Sequence, residues 1–223
     1  MSRPPCKAVI FDLDGVLADT AQAHFQAWRR FADELDLPFD EKINERLKGV
    51  PREACLEILL EGAARPWSRD EKQRFLERKN RYYRALVAKL APESALLPGA
   101  RAALEGCRAA GLKTALASAS RNAGEVIGRL GLDPLLDYVA DAAAIARPKP
   151  APDIFLDAAR GVGAPARQCI GIEDAAAGIQ AIRAAGMYAI GIGETAALEG
   201  AHEVIASLAD FEVPATAGFR IGG

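Results

Sequence analysis

This 223-residue sequence has no large excess of positive or negative charge. Lys and Arg together number 28 against 30 Asp and Glu, which gives a net charge of −2. A chain with this balance has no general attraction for nucleic acids or acidic membranes. We therefore expect no nucleic-acid partner, and any site for an anion must be built locally.

Paired cysteines are also missing. The sequence has four cysteines, at positions 6, 55, 107 and 169, with no CxxC pair and no neighbouring histidine that could complete a zinc site. Scattered cysteines of this kind are typical of reduced, cytoplasmic proteins, where they act as small apolar core residues. We expect neither disulfides nor a structural zinc site.

Long apolar runs do not occur either. No stretch approaches the length of a transmembrane helix, and the apolar run near the first residue ends at Asp12, too early for a signal-peptide core. We therefore expect a soluble, cytoplasmic protein without a membrane partner or the usual export signal. Since 50% of the residues are hydrophobic, the chain can bury a sizeable core.

Short apolar runs rich in Val, Ile and Ala recur along the chain and predict buried strands. They span residues 8–11, 114–117, 138–140, 169–172 and 188–192. Helical segments closed by glycine lie between them, at residues 101–110, 123–130 and 175–185. This alternation of strand and helix predicts an α/β fold with a doubly wound, Rossmann-like parallel sheet.

The segment from residue 19 to residue 92 shows helical periodicity and no convincing strand. A spacing near 3.6 residues relates Phe25, Trp28, Ala32 and Leu35. Ser68 and Glu71 form a capping-box pattern at the start of a long helical segment. We expect a bundle of about four helices. Residues 19–92 would then form a helical cap domain inserted into a core domain made of residues 1–18 and 93–223.

Two carboxylates, Asp12 and Asp14, follow the first predicted strand in the stretch VIFDLDGVLADT at residues 9–20. Burying unpaired charge is costly, so this placement calls for a metal, a cation or a reaction. A simple turn or helix cap rich in aspartate is the alternative explanation.

Further polar residues follow the later strands, where ligands of open parallel sheets bind. They are Ser118, Ala119 and Ser120 after the second strand, Lys149 in a later loop, and Glu173 with Asp174. Lys149 alone could be a solvated loop residue, and the two acids could simply favour the N-terminus of a helix. Together, however, these residues suit phosphoryl transfer to a carboxylate.

Each group has a role in such a transfer. Asp12 is placed to attack phosphorus, and Asp14 is placed to move a proton as general acid and base. Asp12, Asp14 and Asp174 offer the hard oxygen ligands that Mg²⁺ prefers. Ser118 and backbone N–H groups would hold phosphoryl oxygens, and Lys149 would stabilise the charge of the transition state.

The motifs resemble the haloacid dehalogenase superfamily of aspartate-nucleophile phosphotransferases. The resemblance rests on DLDGVLADT at 12–20, SAS at 118–120, KPAPDIF at 149–155 and GIEDAAAGIQA at 171–181. Within the superfamily, the predicted cap resembles the β-phosphoglucomutase family through HFQAWRRFADEL at 24–35, LKGVPRE at 47–53 and ERKNRYY at 77–83. The similarity covers nearly the whole chain and fades after about residue 200.

The resemblance implies a residue set. Mg²⁺ would bind Asp12, the Asp14 carbonyl and Asp174, and Glu173 would support its water shell. Thr20, His24 and Lys79 would position the Asp14 carboxylate. Arg52, Ser120 and Asn122 would grip the second phosphate of the substrate. The other implied substrate-binding residues are Trp28, Gly49, Ser118, Ala119 and Lys149, although the position of Trp28 in its helix favours core packing over a sugar platform.

The implied activity is the interconversion of β-D-glucose 1-phosphate and D-glucose 6-phosphate through an aspartyl phosphate and β-glucose 1,6-bisphosphate. A monomer acting on a small hexose phosphate is expected. A sugar-phosphate phosphatase of the same superfamily and a non-catalytic phosphosugar-binding module remain alternatives. The chain departs from the family pattern at Pro51, Cys55 and Arg121. We expect Arg121 to preserve phosphate binding because it keeps the positive charge, and the lost hydroxyl groups at Pro51 and Cys55 to alter the sugar contacts.

Overall fold

A six-stranded parallel sheet forms the centre of the computed structural model, which describes residues 6–63 and 65–214. The strands are β1 (Ala8–Phe11), β2 (Lys113–Leu116), β3 (Tyr138–Val139), β4 (Cys169–Glu173), β5 (Tyr188–Ile192) and β6 (Glu203–Ile205). Their order in the sheet is β3-β2-β1-β4-β5-β6, and every neighbouring pair is parallel. The predicted doubly wound α/β fold is confirmed.

Nine helices accompany the sheet in the described part of the chain. They are α1 (Ala21–Asp33), α2 (Glu41–Glu45), α3 (Arg52–Leu60), α4 (Arg69–Val87), α5 (Pro92–Ala95), α6 (Ala100–Ala109), α7 (Ala123–Arg129), α8 (Asp153–Gly161) and α9 (Ala176–Ala184). The helices α1 to α4 lie in the segment predicted as the cap. The Ser68–Glu71 capping box at the start of α4 is confirmed.

The two faces of the sheet pack against separate groups of helices, because successive side chains of a strand point to opposite faces. Val9 and Phe11 of β1 lie in one buried cluster with Leu104 of α6. Ile10 lies in another cluster with Phe155 of α8. The sheet is therefore covered on both sides, and its functional edge is the line of carboxyl ends.

The cap helices have a core of their own, built around Trp28, Phe31, Leu56 and Phe75. Two linkers join this bundle to the sheet, and they pair with each other. The backbone N–H of Asp19 donates to the Ala95 carbonyl at 2.8 Å, and that of Leu97 donates to the Leu17 carbonyl at 3.1 Å. The predicted junction between residues 18 and 19 lies in this paired segment; the exact domain limits stay a prediction.

All four cysteines are buried, in agreement with the prediction that they are small apolar core residues. Among the helices of the described segments, none combines the length and apolar character that a bilayer crossing requires.

Gly99 and Gly111 flank helix α6, and both have positive φ, of 81° and 75°. A Cβ at Gly99 would lie 2.2 Å from the backbone nitrogen of Ala209, whereas a Cβ at Gly111 would meet no atom within 4 Å. We expect Gly111→Ala to lower the free energy of unfolding by about 1–2 kcal/mol for the left-handed backbone. Gly99→Ala should lower it by about 2–5 kcal/mol, because the Cβ also displaces packed backbone.

Urea unfolding of the two variants measures this difference directly. Equal losses would show that the contact between the start of α6 and residues 208–210 does not constrain position 99.

Candidate active site

Asp12 lies directly after β1, and its N–H continues the sheet by donating to the Ile172 carbonyl at 3.0 Å. The Lys149 ammonium donates to Asp12 Oδ1 at 2.6 Å and lies 3.5 Å from Glu173 Oε1. Burial raises the pKa of Asp12, and Lys149 opposes that rise. Lys149 is itself buried, so it is a fixed positive charge beside Asp12 and not a solvated loop residue.

An acidic cluster forms where β1 and β4 end side by side. Carboxylate oxygens of Asp12, Glu173 and Asp174 lie within 4.8 Å of one another. Glu173 is fully buried, and neither of its carboxylate oxygens accepts a hydrogen bond in the described part of the chain. Burial and Asp12 raise the pKa of Asp174 to about 7 and raise that of Glu173 well above its usual value. The donor set fits Mg²⁺, since a divalent cation would stabilise all three ionised carboxylates.

Two glycines make space for this cluster. A Cβ at Gly15 would lie 2.0 Å from Asp174 Oδ2, and a Cβ at Gly178 would lie 1.9 Å from Glu173 Oε1. Neither Gly15 nor Gly178 is among the site residues predicted from the sequence. The signal for Gly178 was its place within the motif at residues 171–181.

Asp14 faces the cap. Its partners are Thr20, which immediately precedes helix α1, and His24 within that helix. The Thr20 hydroxyl donates to Asp14 Oδ1, and His24 Nε2 lies 3.6 Å from the same oxygen. Burial alone would raise the pKa of Asp14, but His24 and Thr20 outweigh it, so that this pKa is lowered. Asp14 is therefore held as an oriented carboxylate.

The Lys79 ammonium lies behind the His24 imidazole, 2.9 Å from Nδ1. Because an ammonium group has only donors, Nδ1 must accept, and the proton of neutral His24 is on Nε2, facing Asp14. Burial and then Lys79 lower the pKa of His24. Burial also lowers the pKa of Lys79 to about 8. Lys79 is thus part of a buried relay and not a surface charge.

A cleft between the cap and the sheet holds about 900 Å³ of empty space, part of it open to solvent. Most of the predicted site residues line it: Asp12, Asp14, His24, Trp28, Gly49, Arg52, Lys79, Ala119, Ser120, Asn122 and Asp174. Thr20, Ser118, Lys149 and Glu173 are buried beside it. Ser118 accepts a hydrogen bond from the Ser120 N–H at 3.1 Å. Trp28 belongs both to the cap core and to the cleft wall.

Two guanidinium groups, those of Arg52 and Arg121, also line the cleft. Arg121 Nη2 lies 2.8 Å from Glu53 Oε1, and Arg52 Nε donates to the same oxygen at 3.3 Å. Nearby, the Asn122 amide donates to Asn80 Oδ1 at 2.8 Å, which links the core to the cap. Both guanidinium groups contact a carboxylate, so this part of the cleft wall is chemically suited to an anion.

Sequence reasoning did not assign three polar residues that line the cleft: Asn44, Lys48 and Asn80. Lys48 and Asn80 are chain neighbours of the predicted residues Gly49 and Lys79, so the cap motifs contained their signal. Asn44 had no signal. Of the departures from the family pattern, Cys55 and Arg121 line the cleft, but Pro51 does not.

Residues 6–186 match the family of haloacid dehalogenase-like hydrolases. The β-phosphoglucomutase of Bacillus subtilis is 46% identical over 206 residues, which cover 92% of this chain and 91% of that protein. A phosphorylated carbohydrates phosphatase of Thermotoga maritima is 32% identical over 186 residues, covering 82% and 83%. A crystal structure of β-phosphoglucomutase from Clostridium difficile superimposes with a TM-score of 0.89 at 40% identity, covering 93% of each chain. The chain therefore belongs to the haloacid dehalogenase-like hydrolase family.

Proposed function

We propose that the protein is a β-phosphoglucomutase that interconverts β-D-glucose 1-phosphate and D-glucose 6-phosphate. The observation that carries this proposal is the presence of two groups of cations at one cleft. The Lys149 ammonium contacts Asp12, and the Arg52 and Arg121 guanidinium groups line the cleft wall. The identity to the Bacillus subtilis enzyme supports the same activity.

In the first transfer, the phosphoryl group of phosphorylated Asp12 passes to a hydroxyl of β-glucose 1-phosphate: phosphorus bonds to the sugar oxygen, its bond to Asp12 breaks, and the ionised Asp14 takes the hydroxyl proton. In the second transfer, an Asp12 carboxylate oxygen attacks the other phosphorus of the resulting bisphosphate. The bond from that phosphorus to the sugar oxygen breaks, and Asp14 returns its proton to the departing oxygen. The buried Lys149 ammonium stabilises the charge that gathers on the phosphoryl group.

Asp12, Glu173, Asp174 and the Asp14 carbonyl would hold Mg²⁺, consistent with the acidic cluster and its raised pKa values. Bound Mg²⁺ would supply positive charge that offsets the charge of the transferring phosphoryl group.

A mutase must also hold the phosphate that is not reacting, because its intermediate, β-glucose 1,6-bisphosphate, turns around between the two transfers. Arg52, Ser120 and Asn122 are placed to grip this second phosphate, with Arg121 beside them. Closure of the cap over the cleft would exclude water, which would otherwise hydrolyse the aspartyl phosphate.

A sugar-phosphate phosphatase is the second candidate, supported by the similarity to the Thermotoga maritima enzyme. A phosphatase has no need of the Arg52 and Arg121 guanidinium groups on the cleft wall. A non-catalytic binding module would have no need of Asp12, Asp14 and Lys149 in their present arrangement. Both alternatives therefore leave part of the site unexplained.

We expect the purified protein with Mg²⁺, β-glucose 1-phosphate and a trace of β-glucose 1,6-bisphosphate to form glucose 6-phosphate with little free phosphate. Coupled assays for both products measure this ratio. Release of phosphate without glucose 6-phosphate would contradict the mutase proposal and favour the phosphatase. No turnover and no phosphate transfer to the protein would favour the binding module.

Asp12→Asn should abolish turnover, because the amide cannot form the acyl phosphate. Asp14→Asn should retain at most slow phosphorylation of Asp12, since proton transfer contributes about 10²–10⁴-fold. Labelled acetyl phosphate, followed by measurement of protein-bound phosphate, separates the two steps. Robust turnover in either variant would refute its assigned role, and circular dichroism checks that both variants are folded.

Arg52→Ala should weaken the grip on the second phosphate and lower kcat/KM for β-glucose 1-phosphate by roughly 10- to 150-fold, the effect of about 1.5–3 kcal/mol. Phosphorylation by acetyl phosphate, which has no second phosphate, should change little. The control is Arg46→Ala, because Arg46 pairs with Glu61 at 2.8 Å on the cap surface. Equal losses with both phosphate donors would show that Arg52 does not bind the distal phosphate.

A further inference from the structure

Tyr83 of helix α4 is 1% exposed and takes no part in the chemistry described above. Although it belongs to a cap helix, its side chain lies in a buried cluster with Leu17 and Ala18 of the first linker and with residues of the sheet. The separate core of the cap does not include it. Tyr83 therefore lies where the cap joins the core, close to the Asp14 relay.

The ring of Tyr83 covers one face of the His24 imidazole. The two ring centroids are 4.0 Å apart with an interplanar angle of 34°. The Lys79 ammonium, which contacts His24 from the side of Nδ1, lies 5.2 Å from the Tyr83 ring centroid. The aromatic ring and the ammonium together restrict where the imidazole can move relative to Asp14.

The Tyr83 hydroxyl is buried and has no hydrogen-bond partner of good geometry among the described residues. Burial and the charge of Asp14 raise the pKa of this phenol, and the adjacent Thr20 hydroxyl opposes that rise. Packing alone would be served by phenylalanine, since an unsatisfied buried hydroxyl costs free energy. A tyrosine at this position therefore calls for a polar role of its hydroxyl, and the Thr20 hydroxyl is the group that acts on it.

A threonine hydroxyl has one proton and two lone pairs. Thr20 uses its proton to donate to Asp14 Oδ1. A hydrogen bond from Tyr83 to a Thr20 lone pair would leave that proton free to point only at Asp14. The hydroxyl of Tyr83 can thus set the orientation of the Thr20 donor.

We propose that Tyr83 is a positioning residue of the proton shuttle, whose ring holds His24 and whose hydroxyl holds Thr20 against Asp14. The inference deepens the proposed function and rests on it, because it assigns Asp14 the proton transfer. Tyr83 is not among the residues that line the cleft. Its loss should therefore slow proton transfer without weakening substrate binding.

Tyr83→Phe tests this because it keeps the ring and removes only the hydroxyl. We expect kcat for glucose 6-phosphate formation to fall by about 3- to 10-fold, the effect of one hydrogen bond, with KM changed by less than about twofold. The matched control is Tyr82→Phe. Tyr82 is the preceding residue, and its hydroxyl donates to Glu34 at 2.7 Å on the cap surface. The control should match the wild type in both constants.

A double-mutant cycle with Thr20→Val tests the route of the effect. If Tyr83 acts through Thr20, Tyr83→Phe should lower kcat in the wild type but should have little effect in the Thr20→Val background. Thermal unfolding of each variant shows whether the fold is retained. A kcat equal to that of the wild type, a loss confined to KM, or the same loss in both backgrounds would overturn the proposal.

The failure of this inference can be told apart from failure of the proposed function. If the wild-type protein releases phosphate and forms no isomer, the mutase proposal falls, and the same cycle measured on phosphate release still tests Tyr83, since Asp14 also moves a proton there. If the wild type is a mutase and Tyr83→Phe behaves like it, only the inference about Tyr83 falls.

Discussion

Three carboxylates lie close together at the end of β1, and the arrangement of the rest of the site depends on their mutual repulsion. Parallel pairing of β1 with β4 places Phe11 opposite Ile172, so the acids that follow each strand must meet. Asp12, Glu173 and Asp174 share this space, and burial raises the pKa of each. The Lys149 ammonium neutralises part of the negative charge of the carboxylates. The negative charge that remains makes the cluster suited to a divalent cation.

Asp14 is only two residues from Asp12, yet its surroundings come from the cap. Thr20 and His24 contact its carboxylate, and Lys79 of α4 contacts His24 in turn. The opposite directions of the pKa shifts of Asp12 and Asp14 follow from this division. The surroundings of Asp12 come from the sheet and those of Asp14 from the cap, so the position of the cap determines whether the contacts around Asp14 are assembled.

Much of the core was predictable because strand and helix periodicity is local, and the carboxyl ends of parallel strands share one edge. Strand β6 was missed because it has three half-buried residues at the sheet edge and no clear apolar run. The role of Gly178 follows from the approach of Glu173, which depends on how α9 packs on β4. Lys79 lies in a strongly charged helix, where only packing distinguishes a buried lysine from a solvated one.

Short-range patterns of apolar and polar residues in the sequence specify the α/β sheet, the inserted helices and the order of the motifs. Which of the polar groups contact one another depends on the tertiary structure. Lys149 reaches Asp12 across 137 positions of the chain, and Lys79 reaches His24 across 55. Local sequence patterns do not predict distances between residues so far apart in the chain. The pairing of strands and the packing of the cap on the sheet bring these side chains to hydrogen-bonding distance.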